Sequence, residues 1–146
     1  MVINPWIELF DSKHTIYAND LHRKIHFKLI AKDIREYISK KEIIVLDFCC
    51  GEAFSADYVA SCCKKLFLVE PAKSVLMNLK NRFSNNTKIE VYSLEEISNI
   101  KEQSIDLIVM HSVLQYMSAD ELEKALKNIK RILSHNGIFI LGDVIS

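Results

Sequence analysis

Three polar residues share one kind of position in this chain: each ends an apolar run. Asp47 follows Ile43, Ile44, Val45 and Leu46; Glu70 follows Leu66, Phe67, Leu68 and Val69; His111 follows Leu107, Ile108, Val109 and Met110. Short, apolar, β-branched runs of this length read as buried parallel strands. The strand ends therefore carry two carboxylates, which can orient an amine or accept hydroxyl groups, and one imidazole, which exchanges protons near neutral pH. After Asp47 come Phe48, Cys49, Cys50, Gly51, Glu52 and Ala53, and a helical pattern starts near Ala53. Strand, small-residue turn, helix is the layout that offers backbone N–H groups to a ligand. Glu70 lies about twenty residues past that turn, where a two-strand nucleotide-binding unit puts the acid that accepts both ribose hydroxyls. Its plainer role is that of a helix-start acid beside Pro71. A dinucleotide fingerprint would need glycine where this chain has Phe54.

Other chemistries have weaker support. The four cysteines form two adjacent pairs, Cys49–Cys50 and Cys62–Cys63, without the C-x₂-C spacing of zinc sites. They read as reduced, buried thiols. His22 and His26 share a helix face at ligand spacing but lack the HExxH pattern, so no metal is expected. Lys+Arg and Asp+Glu number 19 each. That balance argues against a nucleic-acid surface. No apolar run approaches a membrane span, and positions 1–20 do not look like a signal peptide, which makes the cytoplasm the expected location.

The elements that position these residues follow from periodicity. Positions 1–18 read as a loop with one short helical turn near 7–10. Asn19 and Asp20 cap a helix running to about Ser39, whose apolar face is Leu21, Ile25, Leu29, Ile30, Ile34, Tyr37 and Ile38. Later helices are expected at about 53–64, from Pro71 with Val75, Leu76, Leu79 and Phe83 inward, and after the capping box of Ser118 and Glu121. Asn136 and Gly137 should end that last helix with a left-handed cap. Strands at about 43–46, 66–69, 88–92, 105–110 and 138–141 alternate with them, which implies a parallel sheet with helices on both faces.

The run from Ile43 to Ala53 resembles motif I of the class I S-adenosylmethionine-dependent methyltransferases, with Cys49, Gly51 and Ala53 at the three glycine positions. The run from Ser104 to Met117 resembles motif IV, and Ile138 to Leu141, after Gly137, resembles the family's fifth strand with its Gly-x-Leu-x-Ile pattern; the likeness covers about residues 42–144. It implies a Rossmann-like sheet of about five strands in order 3-2-1-4-5, preceded by an N-terminal helix. The expected organisation is a single domain, with a helical segment at 1–41 and a cofactor-binding core at 42–146. The implied function is methyl transfer from S-adenosyl-L-methionine to a small-molecule acceptor; the alternative is a truncated or degenerate domain of this fold that binds S-adenosylmethionine or a partner without turnover. The implied cofactor residues are Asp47, Phe48, Cys49, Gly51, Ala53, Glu70, Pro71, Ser93, Leu94 and His111. His111 is also the candidate base, and Tyr17, Arg23 and Tyr116 are candidates for the acceptor side. The family's usual acid on the adenine side is replaced by Ser93 and Leu94. The family adds further strands after the fifth, so here the fifth strand should be an edge, covered by a second copy in a homodimer or by the N-terminal segment.

Overall fold

A computed structural model describes residues 4–12 and 17–142. The five strands are β1 (Ile44–Phe48), β2 (Lys65–Val69), β3 (Ile89–Tyr92), β4 (Ile105–His111) and β5 (Leu133–Gly142). All pair in parallel, in the order β3-β2-β1-β4-β5. This is the expected order, and it puts a crevice at the carboxyl ends of β1 and β4, where the crossovers diverge to opposite sides. The helices are α1 (Pro5–Asp11), α2 (Asp20–Tyr37), α3 (Ala56–Cys62), α4 (Lys73–Arg82) and α5 (Ala119–Ile132). Two apolar layers sandwich the sheet. One joins Ala31, Ile34, Val45, Ala56, Ala60 and Leu79; the other joins Leu46, Phe48, Ile108, Met110, Ile129 and Ile132.

Several expectations need correction. The buried stripe of α2 is Phe27, Ala31 and Ile34, whereas Leu21, Ile25, Leu29 and Tyr37 are exposed. Small residues on both helices explain the rotation: Ala31 lies in one cluster with Ala56 and Ala60 of α3, and their size permits close approach. α3 starts at Ala56, three residues later than expected, because the turn is longer; α4 starts at Lys73, behind an Ala72 cap. Asn136 and Gly137 do not cap a helix. α5 ends at Ile132 and the chain enters β5 at once, with a register shift opposite Ile105 and Leu107. The capping box of α5 is present: Ser118 N–H donates to Glu121 at 2.8 Å and Glu121 N–H to Ser118 Oγ at 3.3 Å.

Of the N-terminal segment expected to cover β5, the described residues 5–11 form α1, which reaches α5 and α4 instead, and residues 13–16 lie outside the described residues. Trp6 Nε1 donates to Glu121 Oε1 of α5 at 3.3 Å, and Phe10 meets Tyr116 edge-on with centroids 5.4 Å apart. At its other end Asp11 accepts from the backbone N–H of Ser74 in the first turn of α4. α1 thus ties α4 to α5 above the sheet's carboxyl edge.

Candidate functional site

The site is built on a turn in a conformation that suits glycine. Cys49, Gly51 and Ala53 have φ of 59°, 59° and 42°, so all three take left-handed backbone, and only one is glycine. Each non-glycine residue there costs about 1–2 kcal/mol. Such outliers persist where surrounding contacts over-determine them, and they gather at functional sites. Ser112, just after His111 on β4, adds another at φ 55°. The contacts that hold the turn are specific. Cys50 N–H donates to the Val69 carbonyl at 3.1 Å, Gly51 N–H donates to Glu70 Oε2 at 2.8 Å, and Ala56 N–H donates to the Ala53 carbonyl at 3.0 Å.

Glu70 is 4% exposed. Its second oxygen, Oε1, accepts from Ala72 N–H at 2.8 Å. It therefore anchors both the turn after β1 and the start of α4, which includes the helix-start role. A carboxylate has about four lone-pair sites, so accepting two backbone bonds leaves acceptor capacity. Burial pushes its pKa up to about 7 despite the two bonds that favour the ion. Asp47 lies inside β1, beside a cleft lined by Phe27, Ala31, Ala53 and Ala56. Burial, then the Glu70 charge, pushes it up to about 7 as well, and no described residue donates to it. Two acids thus share the crevice, and among the described residues no lysine or arginine pairs with either.

Linkage gives a testable consequence. Between pH 4 and 7 the folded chain holds protons on Asp47 and Glu70 that the unfolded chain releases, so their contribution favours folding at low pH and is lost as pH rises through about 7. His26 works in the opposite sense, since burial lowers its pKa. Thermal denaturation from pH 8 to 6 should show a rising Tm on acidification, with a shallower slope in Asp47→Asn. Equal slopes in the wild type and in Asp47→Asn would mean that Asp47 is not pushed up.

The other sequence candidates fall around this centre. Phe48 is 1% exposed and its ring belongs to the core, so its side chain does not face the crevice. Ser93 caps the short turn that follows β3: its N–H donates to Glu96 Oε2 at 2.8 Å and its Oγ accepts from Glu96 N–H at 3.2 Å. Leu94 packs partly on the core, and Pro71 is half-buried at the end of β2. His111 continues β4 one residue past the Phe48–Met110 pair, opposite Gly142 of β5. A Cβ on Gly142 would lie 2.4 Å from the His111 ring, so Gly142 gives the imidazole its place. Ser112 N–H donates to the Gly142 carbonyl at 2.7 Å and fixes the same corner.

Tyr17 stacks on α2, with ring centroids 5.8 Å from His22, 5.2 Å from His26 and 5.9 Å from Phe27. Burial, then the charge of Glu52, then Tyr116 raise its pKa to about 12, so it stays protonated. α2 packs against β4, and the His26 pKa is lowered by burial first, then by His22 and His111. Arg23 sits at the rim, paired with Asp20 at 2.9 Å and with Glu52 at 3.6 Å, and 4.8 Å over the Phe54 ring. Sequence reasoning missed Phe27, whose ring lies 3.8 Å from where a Cβ on Gly51 would stand. It also missed the local part of His26, although the His22–His26 spacing had singled that residue out. Among the described residues, no group of three or more His, Cys, Asp or Glu side chains could hold a metal, and no helix is long and apolar enough to cross a membrane.

The model of the methyltransferase-domain family matches residues 46–141. The chain belongs to the methyltransferase-domain family. Among curated proteins none matches the sequence. Solved structures share its fold. A SAM-dependent methyltransferase of Leishmania major aligns with TM-score 0.69 at 17% identity, over 92% of this chain and 58% of its own. The [4+2]-cyclase SpnF aligns with TM-score 0.67 at 18% identity, over 88% and 49%. The phosphoethanolamine N-methyltransferase 1 of Haemonchus contortus, solved with phosphoethanolamine and S-adenosylhomocysteine, aligns with TM-score 0.61 at 15% identity, over 88% and 34%. The chain thus spans from a third to just over half of these three proteins. The cofactor of this methyltransferase family is S-adenosylmethionine, and the residues present fit such a group. A backbone cradle at 49–53 faces the crevice, and an unpartnered carboxylate, Asp47, suits a cationic amino group.

Proposed function

We propose that this protein binds S-adenosylmethionine in the crevice between β1 and β4 and transfers its methyl group to a small-molecule acceptor. The observation that carries the reading is the pair Asp47 and Glu70: two crevice acids, both pushed up to about 7, next to left-handed backbone at 49, 51 and 53. A cationic, hydroxyl-bearing ligand is the complement of that arrangement. In this reading Asp47 takes the amino group, and the turn through Cys49, Gly51 and Ala53 supplies backbone contacts. Glu70 takes ribose hydroxyls with its remaining lone pairs, and Pro71, Ser93 and Leu94 border the adenine. The cofactor supplies an already activated methyl group, so the protein's work is alignment and exclusion of water. The acceptor side is formed by Tyr17, Tyr116 and His111, with Arg23 at the rim and His26 behind. In this reading His111 takes a proton from an acceptor that must lose one. The free cysteines fit a reducing compartment such as the cytoplasm.

A second reading is a domain that holds the cofactor without methyl transfer. It is favoured by the two non-glycine residues in the turn and by the fold's presence in a protein named a cyclase. Calorimetry with S-adenosylhomocysteine, followed by a labelled-methyl transfer assay against acceptor pools, separates them. Binding with turnover supports the first reading, binding without turnover the second, and no binding removes both.

We also propose a homodimer through β5. The strand has no neighbour on its outer side among the described residues, exposes Ile138 and Leu141, and carries no Lys, Arg, Asp, Glu or Pro between 133 and 142. Edges of this kind need cover. Light scattering across a hundredfold range of concentration should give twice the 16.9 kDa chain mass at the upper end. A chain-mass species throughout, with fast amide exchange at 138–141, would rule the dimer out.

A further inference from the structure

The left-handed turn lacks two of the glycines that would let it form without strain, and besides its bonds to Val69 and Glu70 one side chain from another helix grips its second half. Arg82 is the last residue of α4. Its NH1 donates to the Glu52 carbonyl at 3.0 Å and its NH2 to the Ala53 carbonyl at 2.6 Å. One planar guanidinium thus grips two successive carbonyls at the point where Ala53, 6% exposed, holds φ at 42°. The grip is braced. The guanidinium carbon lies 4.3 Å from the centre of the Phe83 ring and 5.8 Å from that of Phe54. The Phe54 ring is also covered by Arg23, which pairs with the Glu52 carboxylate. Burial lowers the Arg82 pKa, and the nearby Asp57, Cys50 and Glu52 oppose that only in part.

We propose that Arg82 is a positioning residue for the cofactor turn: its two-pronged bond to the Glu52 and Ala53 carbonyls holds the left-handed backbone that glycine would otherwise permit. The role of the turn in binding rests on the function proposed above; the hold on the turn does not. Arginine is suited to this because its donors form a rigid fork, whereas lysine offers one nitrogen on a flexible stem. The clamp also explains why the turn tolerates alanine at 53. The glycine requirement of the sequence motif has been moved to a side chain on α4.

The idea predicts a dependence that ordinary packing does not: Arg82 should matter only while residue 53 is not glycine. A double-mutant cycle reads this directly. Arg82→Met should weaken S-adenosylhomocysteine binding by about tenfold in the wild-type background, and by about threefold or less in Ala53→Gly. Arg82→Lys should resemble Arg82→Met, and it carries the cycle if the Met variant does not fold. Ligand-free Tm values over the same cycle should show the loss at residue 82 at least halved by Ala53→Gly. Equal losses in both backgrounds, or full function in Arg82→Lys, would overturn the proposal. If the wild type does not bind S-adenosylhomocysteine, the functional reading fails, and the Tm cycle alone decides whether Arg82 holds the turn.

Discussion

Gly51→Val should abolish detectable binding of S-adenosylhomocysteine while the sheet stays folded. Gly51 holds φ at 59° between two non-glycine residues that are already left-handed. A valine there adds a third strained residue, and a β-branched one, at about 1–3 kcal/mol. Space is not the limiting factor, because the nearest atom to an added Cβ is Phe27 Cζ at 3.8 Å. The cost therefore falls on the backbone, and the relief available is to swing the peptide away from Glu70, which breaks the 2.8 Å bond from Gly51 N–H. Gly51→Ala should lose less than Gly51→Val for the same reason. Calorimetry gives the affinity and circular dichroism the fold. Retained affinity in the valine variant would place the binding site elsewhere.

Glu70→Gln should lower both stability and affinity. The carboxylate accepts from Gly51 N–H with one oxygen and from Ala72 N–H with the other. A carboxamide has one oxygen and one NH₂, so it keeps one bond and points a donor at the other N–H. A buried donor left without a partner costs about 1–3 kcal/mol. The charge-assisted bonds expected to ribose hydroxyls are lost as well, so the dissociation constant should rise by about tenfold or more. The two losses separate by measurement: ligand-free denaturation reports the backbone anchor, and calorimetry reports the ligand. A stable variant with unchanged affinity would leave Glu70 with neither role.

The sequence shows the architecture because its parallel strands are short apolar blocks ended by polar residues. Asp47, Glu70 and His111 could be placed on one edge of the sheet by strand order alone, and that is where β1, β2 and β4 bring them. What periodicity did not resolve was which of two apolar stripes on α2 turns inward. Leu21, Ile25 and Leu29 repeat at helical spacing just as Phe27, Ala31 and Ile34 nearly do, and only the small residues of α3 choose between them. Asn136–Gly137 misled for another reason: the dipeptide favours a left-handed cap, but here β5 has already begun at Leu133 and the dipeptide falls in the register shift between the pairs Ile105–Leu133 and Leu107–Ile138. Ser93 was legible as polar but not as already engaged, since its partner Glu96 belongs to a turn with no strong pattern. Arg82 was invisible as a site residue. Its importance arises from two carbonyl groups about thirty residues away, and carbonyl directions are not written in side-chain types.

The cysteine at the first position of the turn has a chemical meaning of its own. It belongs to the turn that, under the function proposed above, would meet an electrophilic methyl donor, and a thiolate there would be a competing nucleophile. Nucleophilicity belongs to the thiolate rather than the thiol. Burial, then the charges of Glu70 and Asp47, hold the Cys49 thiol far above its ordinary pKa, and Cys50 is held up by the same influences. Both sulfurs are therefore kept protonated at neutral pH. Under the function proposed above, burial first and then the two acids keep the neighbouring thiols protonated, so the crevice that would recruit an alkylating agent would also protect the chain from self-alkylation.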